Sequence, residues 1–207
     1  DMRSIRSFLT NLRIAKESEE TELIRKSVEI TGSAFDKVLK KVRPGMNEKE
    51  IEALLSYEFA IHHTNGHAYD PIVASGENAC VLHYIKNNQE MKKGDLLLMD
   101  FGAEYMNYAA DISRTIPVSG VFSPRQRELY DSVLEVMEKA IQAMRPGKTL
   151  AELNQQVSEW LIEKHLELGL YKQSDLDSKG KELWKKYFPH GVSHFIGLDV
   201  HDSGSKD

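Results

Sequence analysis

The chain has 207 residues, a net charge of −5 and an apolar share of 41%, an ordinary globular composition with room for one large domain or two small ones. The acidic balance offers no footprint for nucleic acid or an anionic membrane surface, no apolar run approaches a bilayer span, and the residues from Asp1 onward show no secretory pattern. Cys80 is the only cysteine, so no internal disulfide can form; a cytoplasmic location fits, and Cys80 is expected as a small core residue.

Residues 4–41 read as helical. From Arg13 to Lys41 the apolar positions Ile14, Leu23, Ile24, Val28, Ile30, Ala34, Phe35, Val38 and Leu39 recur near a 3.6 period. Glu17 to Glu22 is a solvated charged run. Arg43-Pro44-Gly45 breaks the helix, Asn47 caps the next with Glu50 as its capping-box partner, and a helix from about Glu48 to His62 should face a core with Ile51, Leu54, Leu55 and Phe59. The device returns later. Asp131 to Met144 is helical, Arg145-Pro146-Gly147 breaks it, and Thr149 with Glu152 can cap a helix from about Leu150 to Leu168. The two Arg-Pro-Gly triplets lie 102 residues apart, which suggests two similar halves, each a helix pair followed by strands. Two ordinary helix hairpins with common turn chemistry are the alternative.

Strands are expected between the helix pairs. Val81-Leu82-His83-Tyr84 can form one. Leu96 to Ala103 reads as a buried strand, apolar on both faces until Asp100. Asn107 to Val118 is the next, with Asp111 in its middle. A hairpin centred between Tyr105 and Met106 would set Asp100 opposite Asp111, with Cβ atoms roughly 5 Å apart. Two buried carboxylates so placed repel and lose hydration. A shared divalent cation resolves the conflict, since carboxylates are hard ligands. An ion pair with Arg114 is the other way out, although Arg114 would point to the opposite strand face. Asp175 to Lys186 is charged and reads as an exposed loop or short helix.

Near the end, His190, His194 and His201 are three of the chain's eight histidines within one short stretch. Imidazole binds transition metals and carries protons near neutral pH. The bland reading is a buried turn whose histidines donate to backbone carbonyls. With His194 added, the constellation is two carboxylates and one imidazole, a set that suits one or two first-row divalent ions sharing a hydroxide.

In order, Gly76-Glu77-Asn78-Ala79-Cys80-Val81-Leu82-His83-Tyr84, Met99-Asp100-Phe101-Gly102-Ala103-Glu104-Tyr105, Tyr108-Ala109-Ala110-Asp111-Ile112-Ser113-Arg114-Thr115 and His190 through Asp202 resemble segments of the pita-bread-fold metallopeptidases. The wording of the histidine segment is most similar to the Xaa-Pro aminopeptidase branch, with prolidase close behind. The resemblance implies an α+β fold of two pseudo-symmetric α/β halves. It implies metal ligation by Asp100, Asp111 (bridging both ions) and His194, and substrate contact by His83, His190 and His201. His62, His63 and His67 match no family position and are expected as exposed or capping residues. Implied cofactors are two divalent ions, manganese first and cobalt or zinc as alternatives. The implied substrate is a peptide with proline at its second position, and the implied assembly a homo-oligomer. The family completes its site with two glutamates downstream of the histidine segment. Its aminopeptidase P branch also has an N-terminal domain, so residues 1–16 are expected to be a linker from it. With the two glutamates expected beyond Asp207, residues 17–207 are expected to be an incomplete catalytic domain, truncated at its C-terminus, that by itself binds metal weakly or not at all and is inactive. Three activities stay open: Xaa-Pro aminopeptidase, a related peptidase such as prolidase, or a peptide-binding module that kept the fold without the chemistry.

Overall fold

The computed structural model describes residues 5–204, which divide into two compact units. The first holds residues 5–122 and 195–204, the second residues 123–194.

In the first unit the expected long N-terminal helix is two. Helix α1 spans Arg6–Ile14 and α2 spans Ser18–Leu39, with Glu17 and Glu20 exchanging side chain-to-backbone bonds as a capping box at the break. The buried stripe of α2 is Ser27, Ile30, Thr31, Ala34 and Val38, whereas Val28 and Leu39 are exposed. Ser27 and Thr31 can be buried because each hydroxyl has work there. Ser27 Oγ donates to the Ala103 carbonyl, and Thr31 Oγ1 accepts from Ala103 N at 3.0 Å. Helix α3, Glu48–Ile61, starts where expected. Asn47 and Glu50 form its capping box, and Ile51, Leu55 and Phe59 are fully buried.

Strands β1 (Gly66–His67), β2 (Ile72–Ser75), β3 (Leu96–Phe101), β4 (Ala103–Tyr105), β5 (Tyr108–Ala109) and β6 (Ile112–Pro117) make two antiparallel sheets, ordered β2-β3-β6 and β1-β4-β5. Leu97, Met99 and Phe101 alternate into the core formed with α2 and α3, while Leu96, Leu98 and Asp100 are half-buried on the other face. Residues 81–84 are a turn, not a strand. Just before it, Gly76–Cys80 is a 3₁₀ turn that leaves Cys80 exposed, so the expectation of a core cysteine is corrected.

In the second unit, α4 (Pro124–Ala143) begins about two turns earlier than its apolar pattern suggests, because Ser123 and Gln126 form a capping box with Pro124 at the first turn. Helix α5 is Leu150–Glu167, capped by Thr149 and Glu152 as expected. Gly45 and Gly147 take matching backbone angles, φ 87° and 90°, so the repeated triplet makes the same left-handed turn twice. The charged stretch near the end becomes α6 (Gln173–Lys179) and a 3₁₀ turn, Lys181–Lys186. Among the described residues this unit has no strand.

Helix α5 buries His165 against Tyr171 and Tyr187, its Nδ1 3.2 Å from the Tyr171 hydroxyl. Burial pushes this imidazole below its ordinary value. The unfolded chain therefore takes up a proton below about pH 6.5 that the folded chain refuses. This part of the stability is present above that pH and is lost as the pH falls. Both tryptophans, Trp160 and Trp184, lie in the same unit and report on it. The melting temperature read by their emission should fall between about pH 7.5 and 5.5, and fall less in His165→Gln. Equal falls in the two proteins would remove His165 as the cause.

Candidate metal centre

The hairpin that carries the two aspartates turns one residue later than expected. Tyr105 pairs with Tyr108, and Met106 and Asn107 both have positive φ, 51° and 68°. That is the backbone of a two-residue hairpin turn of the mirror-image type, which usually calls for Asn-Gly. The shift moves the register by two positions. Asp100 sits opposite Ser113, not Asp111. A shift of two keeps side chains on the same face, so both carboxylates still project to one side of the sheet. Asp111 also lies in no strand. It falls in the gap between β5 and β6, opposite the gap at Gly102 between β3 and β4.

Gly102 has a definite task. A Cβ there would stand 1.7 Å from the Ala110 carbonyl oxygen and 2.4 Å from its carbon. Only glycine permits this approach of the two chains. On either side Ala110 N donates to the Ala103 carbonyl at 2.9 Å and Phe101 pairs with Ile112, so the pinch is held from both ends.

The carboxylates meet at a residue that the sequence did not bring forward. The Tyr69 hydroxyl lies 2.6 Å from Asp100 Oδ1 and 2.8 Å from Asp111 Oδ1. One phenol has one proton, so it donates to one carboxylate at a time. Burial, followed by the hydrogen bond to Asp100 and the charges of both aspartates, pushes the Tyr69 hydroxyl far above the ordinary phenol range and keeps it protonated. Burial likewise raises Asp100, with Asp111's charge adding to it, against the lowering effect of the Tyr69 and Ser113 hydrogen bonds. Arg114 is exposed and its guanidinium donates to the Ser113 carbonyl at 2.8 Å. Nothing in the local pattern marks Tyr69. Its signal is general: a half-buried tyrosine in a loop must find an acceptor for its hydroxyl.

The four singled-out histidines are all exposed, which overturns the buried-turn reading of the terminal cluster. His83 occupies the 81–84 turn with φ 54°. His190 and His194 belong to the second unit. There Val192 N donates to Asn154 Oδ1 at 2.9 Å, and Val192 packs beside the core of Val136, Leu153, Val157 and Leu161. His201 belongs to the first unit and borders an open depression with Leu9, Thr10, Arg13 and Asp199. Its neighbour Asp202 anchors it. The Asp202 side chain is 1% exposed and ion-paired with Lys16 at 2.9 Å and with Arg13. Gly197 gives its carbonyl to Ala109 N at 2.9 Å, which ties this terminal segment to β5. Among the earlier histidines, His62 caps α3 and His63 is exposed, but His67 is a half-buried strand residue. Its Nε2 lies 2.7 Å from Ser56 Oγ and its ring contacts Phe59 edge-on.

Among the described residues, no group of three or more His, Cys, Asp or Glu side chains is gathered as a metal site. What the first unit gathers is the pair Asp100 and Asp111, two carboxylates sharing one neutral donor. Oxygen donors with excess negative charge at partial burial fit a hard or borderline divalent cation.

The chain belongs to metallopeptidase family M24, whose model matches residues 22–206. Within it, the chain is 41% identical over 199 residues to the Xaa-Pro aminopeptidase of Escherichia coli K12, covering 96% of this chain and 45% of that protein. It is 38% identical over 201 residues to the Xaa-Pro aminopeptidase of Haemophilus influenzae, covering 97% and 46%. Zn-substituted E. coli aminopeptidase P in complex with product superposes at TM-score 0.90 with 40% identity, over 98% of this chain and 46% of that one. Aminopeptidase P II of Yersinia pestis does so at 0.90 and 39%, over 97% and 46%. The fold is thus the pita-bread fold of the aminopeptidase P structures, and the chain spans less than half the length of the relatives it matches. Among the described residues, no helix is long and apolar enough to cross a membrane.

Proposed function

We propose that this protein is a metal-dependent exopeptidase that hydrolyses the bond between an N-terminal residue and a following proline. The observation that carries the reading is the convergence of Asp100 and Asp111 on the Tyr69 hydroxyl, in a chain of this family. Asp100 and Asp111 would hold two divalent ions, with Asp111 shared between them and His194 as a nitrogen ligand. Manganese is the ion proposed, with cobalt or zinc as alternatives. When bound, such ions would supply positive charge that lets water lose a proton near neutral pH and so provide a hydroxide nucleophile for a carbonyl. The chain's own residues do the rest. Tyr69 stays protonated and holds the two carboxylates in one orientation. His83, His190 and His201 offer imidazole N–H groups to the substrate carbonyl and to the oxyanion that develops from it. Their exposure leaves them accessible to a peptide. The protein is further proposed to be cytoplasmic and homo-oligomeric.

The test uses the protein expressed from its full coding sequence and loaded with Mn²⁺. A tripeptide with proline second should lose its first residue, with a preference on the order of 100-fold over one with alanine second. EDTA should abolish the cleavage. Cleavage confined to Xaa-Pro dipeptides would favour a prolidase instead. Peptide binding without cleavage at any metal loading would make the protein a binding module and overturn the proposal.

A further inference from the structure

Glu48, the first residue of α3, has no solvent-exposed surface. Its carboxylate takes five hydrogen bonds, all from one stretch of chain. Oε1 accepts from Ser75 N and Ser75 Oγ, both at 2.7 Å, and from Asn78 Nδ2 at 3.2 Å. Oε2 accepts from the Tyr84 hydroxyl at 2.8 Å and from Gln89 N at 3.0 Å. The backbone N–H of Glu48 donates back to the Gln89 carbonyl at 2.9 Å. Burial pushes this carboxylate up, but the donors from Ser75, Gln89 and Tyr84 outweigh it, and the net shift is downward. The group is therefore an anion, held at the N-terminal end of a helix. One turn on, Glu52 Oε2 accepts from Asn87 Nδ2 at 2.8 Å, and Asn87 Oδ1 accepts from Val73 N at 2.9 Å.

The segment so gripped is 75–89, and His83 is at its tip. Tyr84, directly after His83, is buried and gives its hydroxyl to Glu48. Asn78, five residues before His83, donates to both Glu48 and the Tyr84 oxygen. His83 itself is exposed and has φ 54°, in the left-handed region that costs energy for a residue with a Cβ. Something must hold that turn. No regular strand ladder covers residues 81–89, so side chains from α3 supply the constraint.

We propose that Glu48 is a positioning residue: it fixes the turn that presents His83 to substrate, while contacting no substrate itself. This rests on the reading of His83 as a substrate contact. The shape of a carboxylate matters here. All five partners are donors, so a glutamine of equal volume must turn its NH₂ toward Tyr84 and Gln89 N or toward Ser75 and Asn78. Either way a donor faces donors, and the turn loosens.

The experiment is a double-mutant cycle in the Mn²⁺-loaded protein from the full coding sequence, with Glu48→Gln and His83→Ala. Glu48→Gln should lower kcat/KM on a proline-second tripeptide about 10- to 100-fold, as loss of an outer-shell orienting group does. In the His83→Ala background the same change should cost less than about 3-fold, since the group it positions is gone. A merely structural role lowers both backgrounds equally, and that result overturns the proposal. Should Glu48→Gln fail to fold, Tyr84→Phe removes one donor and serves in the same cycle with the same expected coupling. If His83→Ala alone leaves kcat/KM unchanged, it is the assignment of His83 that fails. The Glu48 proposal then stands or falls on the His83 ring proton resonance, which Glu48→Gln should shift and broaden while leaving those of His67 in place.

Discussion

Gly102→Ala should destabilise the first unit by about 3 kcal/mol or more, at the upper end of what overpacking costs. The reason is backbone, not side chain. The new methyl would stand 1.7 Å from the Ala110 carbonyl oxygen, and no rotamer change can relieve a clash with main chain. One of the two strands has to move. Both are fixed in place: Ala103, next to Gly102, exchanges hydrogen bonds with Ser27 and Thr31 of α2 and with Ala110 N. Phe101, on the other side, is fully buried. For a chain of this size the cost corresponds to a fall in melting temperature of about 10 °C. The drop should be read by far-ultraviolet circular dichroism. A melting temperature within about 2 °C of the parent would show that the hairpin yields cheaply there, and that the Gly102 contact is not a constraint. The same movement displaces Asp111, which lies opposite the pinch, so any variant that folds should also bind Mn²⁺ less well.

Asp111→Asn should show the opposite combination, with stability kept and chemistry lost. Asparagine has the same volume and its amide oxygen can still accept from Tyr69. The charge it removes is that of one of the two carboxylates that share the Tyr69 hydroxyl. Relieving that repulsion leaves the metal-free protein at least as stable as the parent. Activity of the Mn²⁺-loaded protein on a proline-second peptide should fall at least about 100-fold, because even outer-shell partners of metal ligands cost 10- to 100-fold and a ligand costs no less. Calorimetric titration with Mn²⁺ should lose one binding event. Activity within a few-fold of the parent would remove Asp111 from the metal centre, and with it the proposed mechanism. A variant that loses activity together with its cooperative melt would instead show a structural role for the carboxylate.

Much of the helical frame was legible because capping is local. Asn47 with Glu50 and Thr149 with Glu152 act across three residues, and both helices begin as those pairs dictate. Ser123 with Gln126 obeys the same rule, yet the apolar pattern alone placed that helix start seven residues late. The unbroken apolar run from Leu96 to Met99 marked a core strand, with Asp100 standing out as the residue needing a reason to be there, although only the alternate residues Leu97, Met99 and Phe101 turn into the core. The order of Asp100, Asp111 and the histidine segment sufficed to point to the family.

Other features depended on parts of the chain that are distant in sequence. The hairpin turn at Met106-Asn107 lacks the usual Asn-Gly signature, so its register could be found only from the paired strands. The role of Gly102 exists because Ala110 crosses it. Tyr69 is 31 residues from Asp100 and 42 from Asp111, and Glu48 is 27 to 41 residues from the groups it binds. By itself, then, the sequence determined the helix starts, the repeated Arg-Pro-Gly turn, the core strand and the identities of the charged groups, all written within a few residues of one another. Tertiary structure alone decided which hydroxyl joins the two aspartates and which carboxylate grips the His83 turn. Such partners are selected by proximity after folding, and burial is what makes each of those polar groups require one.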